Sequence, residues 1–306
     1  MAKFKLTSAS RDKLILVSFM LPALAIFVVF KLALIPYAMY ISGTDMAFLG
    51  EKAVNWSFVG LSNYYKTITD LKFLESIKNS LIYTAICAML GQFWLGFFIA
   101  VLLSGKVMKN SKLKTILIIV AIISWILPET VASFEWFALY DRRYGLLNTV
   151  IKALGISRVT WLDVHHEILP GVPYALLSLI IANIWKGSTF SMINFSSAIE
   201  TIPEDLYEAA EIDGANGWQK LRYVTIPMVK RFMPYILIVL FMGSFTHFTF
   251  VFVLTGGMWH EANVAIYSWA TAFKYYEIGY GCAMSMIVII IYLITGHLQQ
   301  RLAAGG

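Results

Sequence analysis

Residues 80–103 read SLIYTAICAMLGQFWLGFFIAVLL, a run without one charged side chain. A helix rises about 1.5 Å per residue, so roughly 20 apolar residues cross about 30 Å of hydrocarbon. No water reaches the backbone there, so the segment must close its hydrogen bonds internally. Five further segments meet the same demand: Leu14–Ile41, interrupted only by Lys31; Thr115–Tyr140, carrying Glu129, Glu135 and a kink at Pro128; Ile168–Ile199, broken by Lys186-Gly187; Phe232–Thr255; and Ile278–Gln300. The expected fold is an all-α membrane bundle of six spans.

The whole composition agrees. Of 306 residues, 59% are hydrophobic and 14% charged, with mean hydropathy +0.71; an average soluble domain has about 45–50% and about 25%. This excludes a water-soluble globule, a disordered chain and a soluble enzyme. Cys87 and Cys282 lie inside apolar runs, so no disulfide framework is implied and both read as packing residues. The first apolar segment exceeds the 7–15 residues of a signal-peptide core and is followed by no small-residue cleavage site, so it reads as a retained span.

The net charge of +6 matters by its placement. Lys3, Lys5, Arg11 and Lys13 precede the first span; Lys106, Lys109, Lys112 and Lys114 follow the second; Lys220, Arg222, Lys230 and Arg231 lie between the fourth and fifth; Arg301 ends the chain. On the other side, Lys52, Lys66, Lys72 and Lys78 are matched by Asp45, Glu51, Asp70 and Glu75. The positive-inside rule therefore puts both termini in the cytoplasm. The expected order is tail 1–13, span 14–41, outer loop 42–79, span 80–103, basic loop 104–114, span 115–140, outer loop 141–167, span 168–199, cytoplasmic loop 200–231, span 232–255, outer loop 256–277, span 278–300 and tail 301–306. The outer loop is long enough for a short surface helix, and Gly60-Leu61-Ser62-Asn63-Tyr64 reads as a turn followed by an aromatic anchor.

One cytoplasmic loop breaks the charge rule, since six of the 18 acids lie between Glu200 and Asp213. Thr201-Ile202-Pro203-Glu204 has the spacing of a capping box with Pro in the first turn. The helix it starts should stop near Gly214, where Gly favours the left-handed end, with Leu206, Ala209 and Ala210 on one face. A second helix is expected from Trp218 to just before Pro227.

Glu208-Ala209-Ala210, three residues, Gly214, nine residues, then Val224-Thr225-Ile226-Pro227 resembles the EAA loop of bacterial ABC-importer permeases, with Val for Ile and Ile for Leu. Ile202-Pro203 through Leu206-Tyr207 to Asp213-Gly214-Ala215 matches that family's commonly extended form without departure. Phe58-Val59-Gly60-Leu61-Ser62-Asn63-Tyr64 and Gly145-Leu146-Leu147-Asn148, with Gly155 and Trp161 downstream, resemble outer-loop signatures of MalF-type carbohydrate permeases. Leu254-Thr255-Gly256-Gly257 resembles that family's motif after span five, although Met258-Trp259-His260 follows where Pro is usual.

The resemblance implies a type I, MetI-like permease of the bacterial inner membrane. It would pair with a second MalG-type permease, two ATPase subunits and an extracytoplasmic solute-binding protein. Glu208, Ala209, Ala210, Asp213, Gly214 and Pro227 would belong to a coupling helix docked on the ATPase. The sequence holds no G-x-x-x-x-G-K-[ST] run, so ATP and Mg would sit on the partner, with no cofactor and no catalysis on this chain. The positions matching the maltose-type sugar site are Asn183, Lys186, Gly187 and Phe190 in span four and Ser244, His247 and Thr249 in span five. Intramembrane ionisable groups are functional candidates by default, which adds Glu129 and Glu135; six residues apart, these two do not share a helical face.

Other features read as structural. Lys31 can snorkel. His165-His166-Glu167 lacks the i, i+4 spacing of a helical zinc site. Phe93, Trp94, Phe97 and Phe98 read as bundle packing or lipid contact. Two other classes compete. A membrane enzyme on lipid-linked substrates would need a carboxylate pair or Ser/His/Asp constellation, and none is evident. A self-contained secondary transporter would be expected to carry an inverted repeat, and none is obvious.

Overall fold

A computed structural model describes residues 8–105, 111–169, 172–257 and 263–304. Lys3, Lys5, Lys106, Lys109 and Met258-Trp259-His260 lie outside the described residues, so the structure bears on neither their charge pattern nor the departure after Gly257. Among the described residues, five helices are long and apolar enough to cross a membrane, or six if one bent pair forms a single span. The chain divides into two units, Met1–Thr69 with Trp269–Ile287, and Asp70–Ser268 with Val288–Gly306.

In the first unit, α1 begins at Ser8 and ends at Ser42, passing through a π-turn at Val28–Leu32. The turn precedes Pro36, whose ring would meet the Leu32 carbonyl of a regular helix. Its apolar part, Val17–Ser42, leaves large side chains such as Phe19, Phe30 and Met39 exposed. The loop behind it is tied down by polar contacts. Asn63 donates to the Ser42 and Thr44 carbonyls at 2.9 and 2.7 Å, and the Tyr64 hydroxyl meets Ser42 Oγ at 2.6 Å. The expected surface helix is α2, Ser62–Thr69. The Lys52 ammonium at 2.5 Å and the Ser57 amide hold the Asp45 carboxyl down to about 2. That clamp therefore persists at neutral pH and is lost only as pH falls through about 2.

The second unit opens with α3, Leu71–Ser104. It starts nine residues ahead of the uncharged run, because Asp70 caps it by accepting from the Lys72 amide and because Phe73, Ser76 and Ser80 bury one face. The third apolar segment bends far beyond a kink: α4, Lys112–Ile126, and α5, Glu129–Leu139, meet at 104° across Leu127-Pro128. After α6, Leu146–Ala153, the expected start of span four at Ile168 is instead a small hairpin, β1 (Glu167–Leu169) antiparallel to β2 (Val172–Pro173). Pro173 then sits at the helix threshold, and α7 runs unbroken from Tyr174 to Glu200. Lys186-Gly187 does not interrupt it.

The cytoplasmic-loop expectation needs two corrections. In α8, Glu204–Ile212, Pro203 occupies the cap position without a side-chain cap, while the Thr201 hydroxyl turns back to the Ala198 carbonyl at 2.7 Å. The capping box is real but lies later, between Asn216 and Gln219, at the start of α9. That helix extends from Gly217 to Thr255. Pro227 does not stop it, since the π-turn at Leu221–Thr225 loosens the register before the proline. A 3-10 turn at Lys230–Phe232 follows, and the helix itself lapses at 246–248, between Phe245 and Thr249. The short α10, Val264–Trp269, precedes α11, Ile278–Ala304, which gives its first turns to one unit and Val288 onward to the other.

Two apolar clusters fill the second unit. One gathers Phe93, Phe97, Phe195, Val229 and Ile236; the other Tyr83, Trp136, Leu179 and Phe250. Phe93 and Phe97 both meet Phe195 edge-on at 5.1 Å, whereas Trp94 and Phe98 of the same aromatic run stay exposed. Within α6, buried Asn148 clamps Val159 from both sides, accepting from its amide and donating to its carbonyl, each at 2.9 Å. Asn148→Ala would leave both backbone groups unpaired, a loss of about 2 kcal/mol. Hydrogen exchange at the Val159 amide should accelerate about 30-fold, and unchanged protection would show that the clamp is dispensable.

Candidate functional site

Two helix breaks face each other inside the second unit. Where α4 ends, its last carbonyls lack intrahelical donors and carry the negative end of the helix dipole. Lys186, reaching from α7, donates to the Leu127 carbonyl at 2.7 Å and to that of Trp125 at 3.4 Å. Where α5 begins, the dipole is positive, and Glu129 is its first residue. One break thus receives a cation on its carbonyl side and an anion on its amide side.

The second break lies in α9 and holds His247. Its Nε2 pairs with Glu129 Oε1, its Nδ1 lies 3.2 Å from the Tyr83 hydroxyl, and its ring stacks on Phe250 at 5.2 Å. With Glu129 ionised, Nε2 must donate, so a neutral His247 accepts at Nδ1 from Tyr83. The loosened backbone is satisfied by neighbours. Asn263 donates to the His247 carbonyl at 2.6 Å, and the Tyr292 hydroxyl reaches Thr246 Oγ1 at 2.7 Å and the Met242 carbonyl at 2.8 Å.

Beside these breaks, Gln92 of α3 donates to both the Oδ1 and the carbonyl of Asn183 at 3.0 Å. Gly187, one turn along α7, leaves room for that amide, since a Cβ there would lie 2.2 Å from Gln92 Cδ. Among the described residues, Asn183 Nδ2 is buried without a hydrogen-bond partner. Half-buried Phe190 approaches Trp125 at 6.4 Å, Ser244 is buried, and Thr249 opens the helix after the break.

The sequence-derived residues therefore gather in part. Asn183 and Gly187 meet through Gln92, and His247 joins Glu129, while Lys186 is committed to backbone carbonyls. Glu135 points elsewhere, into a largely apolar groove of about 1320 Å³ lined by Leu95, Ser124, Trp136, Trp185 and Ser188 among others. Sequence reading missed Tyr83, Gln92 and Asn263. For Gln92 a signal existed: it is the one amide in the uncharged run 80–103. The His165 and His166 amides and the His166 ring all turn to Asp163, and among the described residues no group of His, Cys, Asp and Glu is arranged to hold a metal ion.

Away from this cluster, α8 presents Glu208 and Ala209 outward, and Leu206 and Ile212 are 42% and 87% exposed. Asp213 is the C-cap, and Gly214 follows at φ +77°. The Gly214 and Ala215 amides return to the Glu211 and Ala210 carbonyls at 3.0 and 2.8 Å. This is a Schellman ending. Pro227 is exposed, in the helix beyond.

Residues 92–304 match the family described as "Binding-protein-dependent transport system inner membrane component". The chain is similar to the trehalose/maltose transport system permease protein MalF of Thermococcus litoralis, with 30% identity over 93% of this chain and 91% of the relative. It is also similar to the sulfoquinovosyl glycerol transport system permease protein SmoG of Agrobacterium fabrum, with 27% identity over 95% and 91%. Among solved structures, a chain of a bacterial ABC transporter involved in import of the acidic polysaccharide alginate shares the fold at TM-score 0.77 and 18% identity, covering 95% of this chain and 96% of that one. A chain of the MetNI methionine transporter does so at 0.56 and 16%, over 76% and 95%.

Gly187→Ala should fold poorly, because the added methyl collides with Gln92, and a Gly187→Ala/Gln92→Ala double variant should recover much of the loss. The readout is the yield of monodisperse protein in detergent; no recovery in the double variant would place the clash elsewhere. Lys186→Met should lower stability by roughly 2–3 kcal/mol, since it strands the α4 carbonyls and leaves Glu129 without its nearby cation. An unchanged midpoint of thermal unfolding would refute the capping role.

Proposed function

The chain belongs to the binding-protein-dependent transport system inner membrane components, as a multi-pass permease component of an ABC importer, and from that premise we propose that it forms half of a translocation path for a sugar or oligosaccharide. The sugar assignment draws on relatives named for trehalose/maltose and for sulfoquinovosyl glycerol. In this reading the bent pair α4–α5 is the third of six spans, both termini are cytoplasmic, and the membrane is the bacterial inner membrane. A second, MalG-type permease completes the path, and an extracytoplasmic binding protein delivers the solute. The neighbouring alginate transporter has been crystallised with a periplasmic protein that holds an alginate pentasaccharide.

The observation that carries the coupling half of the proposal is α8 itself. It is short, sharply ended at Gly214, almost wholly exposed, and bears Glu208-Ala209-Ala210 on a loop between two long apolar helices. Exposed Leu206, Ile212 and Trp218 offer apolar surface, and its carboxylates offer charge-assisted hydrogen bonds. Such a helix suits a cleft on an ATPase subunit. Two such subunits would bind ATP and Mg, close on each other, draw the coupling helices together and turn the bundle from inward-facing to outward-facing. This chain performs no catalysis.

On the substrate side, Asn183, Gly187, Phe190, Ser244, His247 and Thr249 supply an amide, an aromatic face, hydroxyls and an imidazole, which are the groups a neutral polyol recognises. The unpartnered Nδ2 of Asn183 supports an amide awaiting an acceptor. Lys186 belongs to this path through the helix end that it holds.

Glu208→Lys and Gly214→Pro should each leave membrane insertion intact and abolish ATPase co-purification or uptake; full sugar uptake by either would refute the coupling role. His247→Ala and Phe190→Ala should instead keep ATPase assembly while changing selectivity. Unchanged uptake kinetics across several oligosaccharides would remove both residues from the path.

A further inference from the structure

Within α8 only Tyr207 and Ala210 are half-buried, and every other residue is exposed. The Tyr207 ring packs against the apolar cluster that contains Ile202 and Val229. Its hydroxyl lies 2.9 Å from Thr225 Oγ1. Thr225 is buried and closes the π-turn of α9, two residues before Pro227. Another polar tie, Glu211 to Lys220 at 2.8 Å, is a partly exposed ion pair, and such pairs are weak and screened by salt.

We propose that the Tyr207–Thr225 hydroxyl pair is a positioning contact that carries the displacement of α8 into α9, and so sets how much solute moves per ATP hydrolysed. The inference rests on the coupling role of α8 argued above and adds the linkage through which that role acts. Apolar packing is non-directional and lets a ring slide; a hydrogen bond fixes its partner's place. The contact also falls where α9 is loosened, at a π-turn followed by a proline that donates no hydrogen bond. Thr225 Oγ1 can donate to the Lys220 carbonyl across that turn, at 3.5 Å, and leaves its lone pairs to the Tyr207 hydroxyl. From Thr225, 22 residues at 1.5 Å give about 33 Å along the helix to His247 and the break that faces Glu129.

The test uses the assembled transporter, with its second permease and ATPase subunits, in proteoliposomes. Tyr207→Phe keeps the ring and removes the hydroxyl; Thr225→Val keeps the shape and removes the acceptor. Both should co-purify with the ATPase as wild type does and should hydrolyse ATP, while solute moved per ATP falls roughly five-fold, the weight of one net hydrogen bond. The double variant should be no worse than either single, and Thr225→Ser should behave as wild type. An unchanged ratio in both single variants overturns the proposal, as does an additive loss in the double. Loss of ATPase assembly by Tyr207→Phe also overturns it, because the hydroxyl would then belong to the docking face. Failure of the coupling role itself has a different signature: full uptake by Glu208→Lys.

Discussion

A helix that stops inside a bilayer strands carbonyls that no water can reach, and the arrangement of this chain turns on how Lys186 answers that problem. Its ammonium closes the end of α4 through the Leu127 and Trp125 carbonyls, while Glu129 sits at the amide end of α5. Neither charge would be tolerable alone in a low-dielectric interior. Together with the two helix termini they make a compensated set, and that compensation is what permits the 104° bend. The bend in turn brings Glu129 to His247, which occupies the other break, in α9. Irregular backbone is tolerated at membrane depth where protein encloses it or where it lines a cavity, and it is at these two breaks that the proposed solute path is placed.

The second consequence is mechanical. Helix α9 starts in the loop beyond α8 and ends past His247. One continuous element therefore joins the exposed acidic helix to the polar cluster. That continuity gives the π-turn and Pro227 their significance, since any slack there would be slack between the two sites.

Much of this was legible from residue order, and the rest was hidden for identifiable reasons. Uncharged length exposed α3, and the spacing from Glu208 to Pro227 singled out the loop that carries α8, because both signals are local. The start of α7 was misplaced because Ile168 and Leu169 continue the apolar run, whereas Pro173 decides where the helix can begin. The capping box was sought at Thr201 because the motif fits there by spacing; in three dimensions that hydroxyl prefers the Ala198 carbonyl, and Asn216 with Gln219 forms the box. Lys186 matched a sugar-site position by alignment, yet its partner is a helix end 59 residues earlier. No one-dimensional pattern announces that pairing. Glu129 and His247 are 118 residues apart, and only the bend and the break together make them neighbours.

The central claim is that α8 is the face this permease turns to an ATP-hydrolysing subunit, and a cross-linking measurement addresses it most directly. A photoreactive side chain placed at Ala209, in membranes that contain the assembled transporter, should label the ATPase subunit, while the same group at Leu61, just before α2, should not. Labelling from Leu61 and none from Ala209 would contradict the account.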